Sequence, residues 1–226
     1  MSALLQTKDL AVGYQGNPVV RDLNLEVKAG EVVAILGSNG AGKTTTLMAI
    51  AGRLKPLAGS IAFDGRNERK PLHARAREGL SFVTEERSVF MRLSARDNLR
   101  VAGVEPEDAC ALFPELKPLL RRTAGLLSGG EQQMLTLARA LARKPKLLLA
   151  DELSLGLAPM VVVRLLDAVR NAAASRDVGV LMVEQHVHQA LKYADRVYGM
   201  RRGEVILTGT PDEVRSGIDQ LFVSRV

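Results

Sequence analysis

Three observations in the sequence predict an α/β fold built on a parallel sheet. A short apolar run over residues 31–36 passes straight into Gly37-Ser38-Asn39-Gly40-Ala41-Gly42-Lys43-Thr44 and then into a helical apolar pattern. A second apolar run, Leu147-Leu148-Leu149-Ala150, ends in the paired carboxylates Asp151-Glu152. Beyond it, strand-length and helix-length segments alternate, which lays parallel strands under crossover helices. With 226 residues, 46% hydrophobic and 25% charged, the chain suits one large globular domain, or a core carrying a small inserted lobe.

Taken in order, two β-rich segments open the chain, residues 4–12 and 23–27, and the strand 31–36 follows the Lys28-Ala29-Gly30 turn. A helix is expected over 43–51, with Gly52 ending it. Residues 60–63 read as a strand closed by the Asp64-Gly65 turn, and 79–83 as another strand. From 94 to 123 helical segments are interrupted at Pro106, Pro114 and Pro118, the pattern of an inserted helical lobe. Ser128 opens a long helix through Ala142, and Lys144-Pro145 stops it. Strands over 147–150 and 179–183 then alternate with helices over 161–174 and 187–193, before a late strand at 203–207. Thr210-Pro211-Asp212-Glu213 carries a capping box with proline in the first turn, so a last helix starts there. No repeat or low-complexity tract is present.

Composition narrows the function. The net charge of +6 is scattered, aromatics are 4% and Trp is absent, so no base-stacking platform is expected and no nucleic-acid partner. Cys110 stands alone, which excludes an internal disulfide and a multi-cysteine metal site, and suits a small buried apolar residue. His186 and His188, with His73 the only other histidine, make a weak metal set. No apolar run approaches the roughly 18 residues of a bilayer span, and residues 1–6 lack a signal-peptide pattern. A cytoplasmic chain is expected, with any membrane role supplied by a partner.

Residues 37–44 match the phosphate-loop pattern in its proper strand-to-helix context. The glycines let backbone N–H groups close around the phosphates of a nucleotide, and the helix N-terminus adds partial positive charge. Lys43 brings a full charge to the same oxygens, Thr44 offers a hydroxyl to Mg²⁺, and Thr45 stands ready for a further phosphate contact. In phosphate-loop enzymes an Asp in the place of Asp151 holds the Mg²⁺, and a Glu directly after it, here Glu152, polarises the attacking water. The alternative for Asp151 is a helix cap. Leu127-Ser128-Gly129-Gly130-Glu131-Gln132-Gln133 is a second bare helix start suited to a γ-phosphate. The chain's own loop already holds that phosphate from one side, so the second start is expected to come from a second subunit.

Here the chain resembles the ATP-binding subunits of ABC transporters, from about residue 4 to residue 214, in the order and spacing of loop, signature and Asp-Glu strand. The resemblance implies a phosphate-loop NTPase core over residues 1–90 and 126–226, RecA-like, with an N-terminal antiparallel β subdomain and a helical lobe over about 91–125. It implies ATP and Mg²⁺ as cofactors, hydrolysis, and a homo- or heterodimer with a second ATPase subunit. It also implies membrane permeases as partners, a substrate-binding protein acting indirectly, and a place on the inner face of the membrane. Tyr14 becomes the ring that stacks on adenine.

Several departures from the common pattern narrow the likeness. Ser154-Leu155-Gly156-Leu157-Ala158-Pro159 stands where most relatives have a loop ending in Asp. Thr84-Glu85-Glu86-Arg87 stands in place of Pro-Gln, which puts Glu85 at the position of the Mg²⁺-sensing glutamine. In Val183-Glu184-Gln185-His186, spacing from Asp195 puts Gln185 rather than His186 at the switch-histidine position. Together with Glu131-Gln132-Gln133 these are similar to the second ATPase subunit of branched-chain amino-acid uptake transporters, and Leu153, where proline is usual, departs from that group. A soluble ABC ATPase acting on nucleic acid or ribosomes is the rival, but such proteins usually carry two cassettes or Cys-rich insertions. A phosphate-loop kinase would leave Glu152 and the Ser128 helix without a task.

Overall fold

The structure, a computed structural model, describes residues 3–67, 69–86 and 88–222; Met1, Ser2 and Arg87, all read above from the sequence, lie outside them. Its centre is a six-stranded sheet in the order β5-β6-β7-β3-β8-β9. The strands are β3 (Val32–Leu36), β5 (Leu80–Val83), β6 (Leu147–Asp151), β7 (Gly179–Glu184), β8 (Arg196–Arg201) and β9 (Glu204–Gly209). All pair in parallel except β9, which returns antiparallel along β8. A separate antiparallel sheet joins β2 (Asn17–Val27), β1 (Leu5–Tyr14) and β4 (Ala58–Phe63) in that order.

The unbroken apolar runs of β3, β6 and β7 reflect burial on both faces. Val32, Ala34, Leu36, Leu148, Ala150, Val180 and Met182 face one core, with α5 (Gly129–Ala142), α6 (Pro159–Arg176) and α7 (Val187–Tyr193). Val33, Ile35, Leu147, Leu149, Leu181 and Val183 face the other, with α1 (Lys43–Ile50) and the antiparallel sheet. Period-two alternation splits each strand cleanly between the two.

Between β5 and α5 lie α3 (Ala95–Val101), α4 (Pro106–Leu112) and two 3₁₀ turns, Pro114–Leu119 and Ala124–Leu126. Pro106 and Pro114 open helical segments rather than break them, since a first-turn proline has no N–H that the helix would use. Leu99, Phe113 and Leu116 are fully buried in the same core as α5 and α6. Arg164 of α6 fastens this layer by donating to Leu112 O at 2.6 Å and Glu115 Oε1 at 2.7 Å, with its guanidinium over the Phe113 ring. Cys110 is half-buried against that core, and burial pushes its thiol pKa up.

Three elements depart from the sequence expectation. Strand β2 begins at Asn17, six residues before the expected start, because its first half is fixed by pairing with β1 rather than by its own polar-rich pattern. Strand β8 is flanked by arginines and interrupted by Gly199, so its ladders with β3 and β9 define it. Helix α2 (Leu72–Arg77) has no apolar period; its buried residue is Arg75, which donates to Ile50 O at 2.8 Å and so caps the end of α1.

Gly52, two residues past that end, has φ +80°, and a Cβ there would stand 2.2 Å from Lys70 O. Gly52→Ala is therefore expected to combine left-handed strain with a backbone clash and to cost roughly 2–4 kcal/mol, measurable as a lower denaturant midpoint at unchanged slope.

Candidate functional site

The carboxyl ends of β3, β7 and β6 lie side by side, with β7 in the middle, because Leu36 pairs with Glu184 and Asp151 with Val183. The loop after β3 therefore faces the residues that end β6 and β7. They share a cleft of about 280 Å³ lined by Val19, Asn39, Gly40, Gly42, Lys43, Thr44, Thr45, Glu85, Glu152 and Gln185. Gly37, Ser38 and Ala41 support this lining. Lys43 Nζ donates to Gly37 O at 2.9 Å and Ser38 O at 3.1 Å, and Ala41 is packed into the core below. Gly42 caps α1 with φ +102°, and a Cβ there would meet Val20 Cγ2 at 2.7 Å, so glycine is required both by conformation and by space.

Thr44 Oγ1 donates to Asp151 Oδ1 at 3.2 Å, which brings the two proposed metal-binding side chains together. Asp151 is buried, and that burial pushes its pKa up to about 6; Glu152 and Glu85 add to the rise, while the Thr44 bond and Lys43 oppose it. Burial likewise lowers the Lys43 pKa against the pull of Glu152 and Asp151. Glu152 sits at φ +50°, a strained backbone for a non-glycine residue, held by its N–H to Val183 O at 3.0 Å. Gln185 Nε2 donates to both Glu152 carboxylate oxygens at 2.7 Å, which aims the carboxylate. His186 is exposed at the start of α7 and does not line the cleft.

Ser128, Gly129 and Gly130 do not line this cleft. They begin α5 elsewhere, with Ser128 and Glu131 in a reciprocal capping box, and Gly130 leaves room for Val161 of α6. Tyr14 ends β1 half exposed and also stands outside the lining.

Two residues that the sequence did not assign belong to the site. Val19 reaches the cleft through the antiparallel sheet, and nothing local in the sequence marks it. Glu184 is fully buried, directly beneath Gln185; it accepts from Ser154 Oγ at 2.5 Å, and its Oε1 has no hydrogen-bond partner. Its signal was present as the one charge ending an otherwise apolar strand. Burial pushes its pKa up to about 7, with the Ser154 bond opposing and Glu152 assisting.

This fold and cleft define a phosphate-loop nucleotide-binding protein with an acidic edge facing the loop. The chain belongs to the ABC transporter family, whose family model matches residues 20–154. It is 40% identical to the high-affinity branched-chain amino acid transport ATP-binding protein BraG of Pseudomonas aeruginosa, over 92% of this chain and 93% of that protein. It is 39% identical to the lipopolysaccharide export system ATP-binding protein LptB of Escherichia coli K12, over 94% and 92%. Among solved structures, an ATP binding subunit of an ABC transporter matches with a TM-score of 0.82 at 29% identity, covering 98% of this chain and 95% of that one. The chain is thus an ATPase, the ATP-binding subunit of a transporter. Among the described residues no helix is long and apolar enough to cross a membrane.

A carboxyl whose pKa rises on folding holds its proton more tightly in the folded chain. The contribution of Glu184 to stability is present below about pH 4.5 and is lost as the pH climbs through about 7. Nucleotide-free protein is expected to lose roughly 3 kcal/mol from this group between pH 4.5 and pH 8, and Glu184→Gln to flatten that part of the slope in urea titrations at each pH.

Proposed function

We propose that this chain drives a membrane importer by binding ATP between two ATPase subunits and hydrolysing it at Glu152. The observation that carries this reading is one cleft in which Lys43 and Thr44 face Glu152 and Gln185, while Ser128, Gly129 and Gly130 stand outside its lining. In this reading the phosphate loop, residues 37–45, holds the phosphates and Tyr14 stacks on the adenine. A second subunit, a copy of this chain or a sister ATPase, brings Ser128, Gly129 and Gly130 to the γ-phosphate. The core is residues 1–90 and 126–226, and the lobe about 91–125.

The donor set near Thr44 is all oxygen, with one buried carboxylate at 3.2 Å and Glu85 in the same cleft, which fits Mg²⁺ sharing phosphate oxygens better than a metal needing nitrogen or sulfur. Asp151 and Thr44 would hold it, with Glu85 beside them, and the ion would neutralise charge on the phosphate oxygens. Glu152 takes the proton of the attacking water, and Gln185 keeps its carboxylate turned toward the cleft. In this reading the chain sits at the inner face of a membrane against a permease, and the exposed Phe90, Met91 and Leu126 near the Glu85 loop are apolar groups suited to that contact.

Glu152→Gln is expected to keep ATP binding, lower turnover on the order of 10²- to 10⁴-fold, and accumulate dimer on size-exclusion chromatography with Mg-ATP. Variant protein that stays monomeric, alone and with its sister ATPase, would sink the two-subunit site.

For the cargo, the likeness to BraG and the sequence departures around Glu85 and Gln185 support branched-chain or other hydrophobic amino acids. The likeness to LptB favours a second reading, lipopolysaccharide export. Disrupting the gene is expected to abolish high-affinity uptake of radiolabelled leucine and leave surface lipopolysaccharide unchanged; the opposite pattern would select the second reading.

A further inference from the structure

Glu184 and Gln185 are consecutive, yet they grip the turn after β6 from opposite sides. Along β7, the side chains of Val180, Met182 and Glu184 share the face packed under the helices, and Glu184 is completely enclosed there. Its carboxyl accepts from the Ser154 hydroxyl at 2.5 Å, across 30 residues of sequence. Ser154 is itself buried, as is Leu153 before it. The other oxygen of that carboxyl, Oε1, has no partner, so among the described residues the Ser154 hydroxyl is the hydrogen bond that holds it. On the cleft side, Gln185 holds the Glu152 carboxylate through both oxygens.

We propose that Glu184 is a positioning residue for hydrolysis, which holds the turn at residues 152–155 from beneath through Ser154 and so keeps Glu152 in its left-handed backbone, aimed at the cleft. A residue at φ +50° keeps that conformation only where its surroundings over-determine it. Here the surroundings are the Glu152 N–H bond to Val183 O, the Leu155 N–H bond to Glu152 O, and the Ser154–Glu184 tie. Of these, the Ser154–Glu184 tie alone joins side chains, and it links the turn to the strand that carries Gln185. Loss of the tie frees the turn and displaces Glu152 without altering the phosphate loop, which is built on β3 and α1. Turnover then falls while nucleotide affinity stays.

This inference rests on Glu152 acting as the base, and the two are tested separately. In the intact chain, kcat, KM and the affinity for a non-hydrolysable ATP analogue are measured for Ser154→Ala, Glu184→Val, their combination and Glu184→Gln, with melting curves to establish folding. Ser154→Ala and Glu184→Val are each expected to lower kcat on the order of ten- to a hundredfold, with analogue affinity within about twofold of the parent chain. The double variant is expected to be no worse than the poorer single one. Glu184→Gln, which keeps an acceptor for Ser154, is expected to recover most of the turnover. Should Glu184→Val not fold, Ser154→Ala and Glu184→Gln carry the test. The proposal is overturned if analogue affinity falls in step with kcat, if the two losses multiply, or if Ser154→Ala leaves kcat unchanged. Full turnover by Glu152→Gln would instead remove the base reading, an outcome these four variants do not produce.

Discussion

Strand β7 lies hydrogen-bonded between β3 and β6, and the arrangement of the cleft follows from that placement. A phosphate loop and a pair of carboxylates are separated by more than a hundred residues, and neither strand touches the other. The intervening strand sets their spacing at two ladder widths, roughly 10 Å. It also delivers Gln185 and Glu184 to the gap, one above the sheet edge and one below it. Parallel pairing matters here, since it sends all three loops out at the same edge.

The electrostatics of that edge are finely opposed. Asp151 is pushed toward neutrality by burial and by two neighbouring carboxylates, and Lys43 is held back by its own burial. A site with this balance gains most from a ligand that brings both a cation and phosphate oxygens, because the cation relieves the carboxylates and the oxygens relieve the lysine.

The same turn carries local strain. Glu152 in a left-handed backbone costs on the order of 1–3 kcal/mol, which the surrounding contacts must offset. Two of those contacts come from β7, through Val183 O and Glu184, so the strand that spaces the site also steadies the turn that carries Glu152. The helical layer is bound to the core just as firmly through Arg164, and Arg139 of α5 reaches Ser88 O at 2.6 Å in the segment after β5.

Much of this was written in the sequence. The phosphate loop, the Asp151-Glu152 end of β6, the capped starts at Ser128 and Thr210, and the two-faced apolar strands depend on local spacing, so they could be read directly and were found as expected. Gln185, which spacing from Asp195 puts at the switch position, lines the cleft, and His186 does not. Strand β8, helix α2 and the first half of β2 could not be read, because each is defined by a partner elsewhere: β3, the end of α1, and β1. Val19 and Glu184 belong to that second kind. Sequence determined which groups the chain possesses and where its elements begin; tertiary structure alone decided which strand lies between which, and so which buried acid stands behind the turn that carries Glu152.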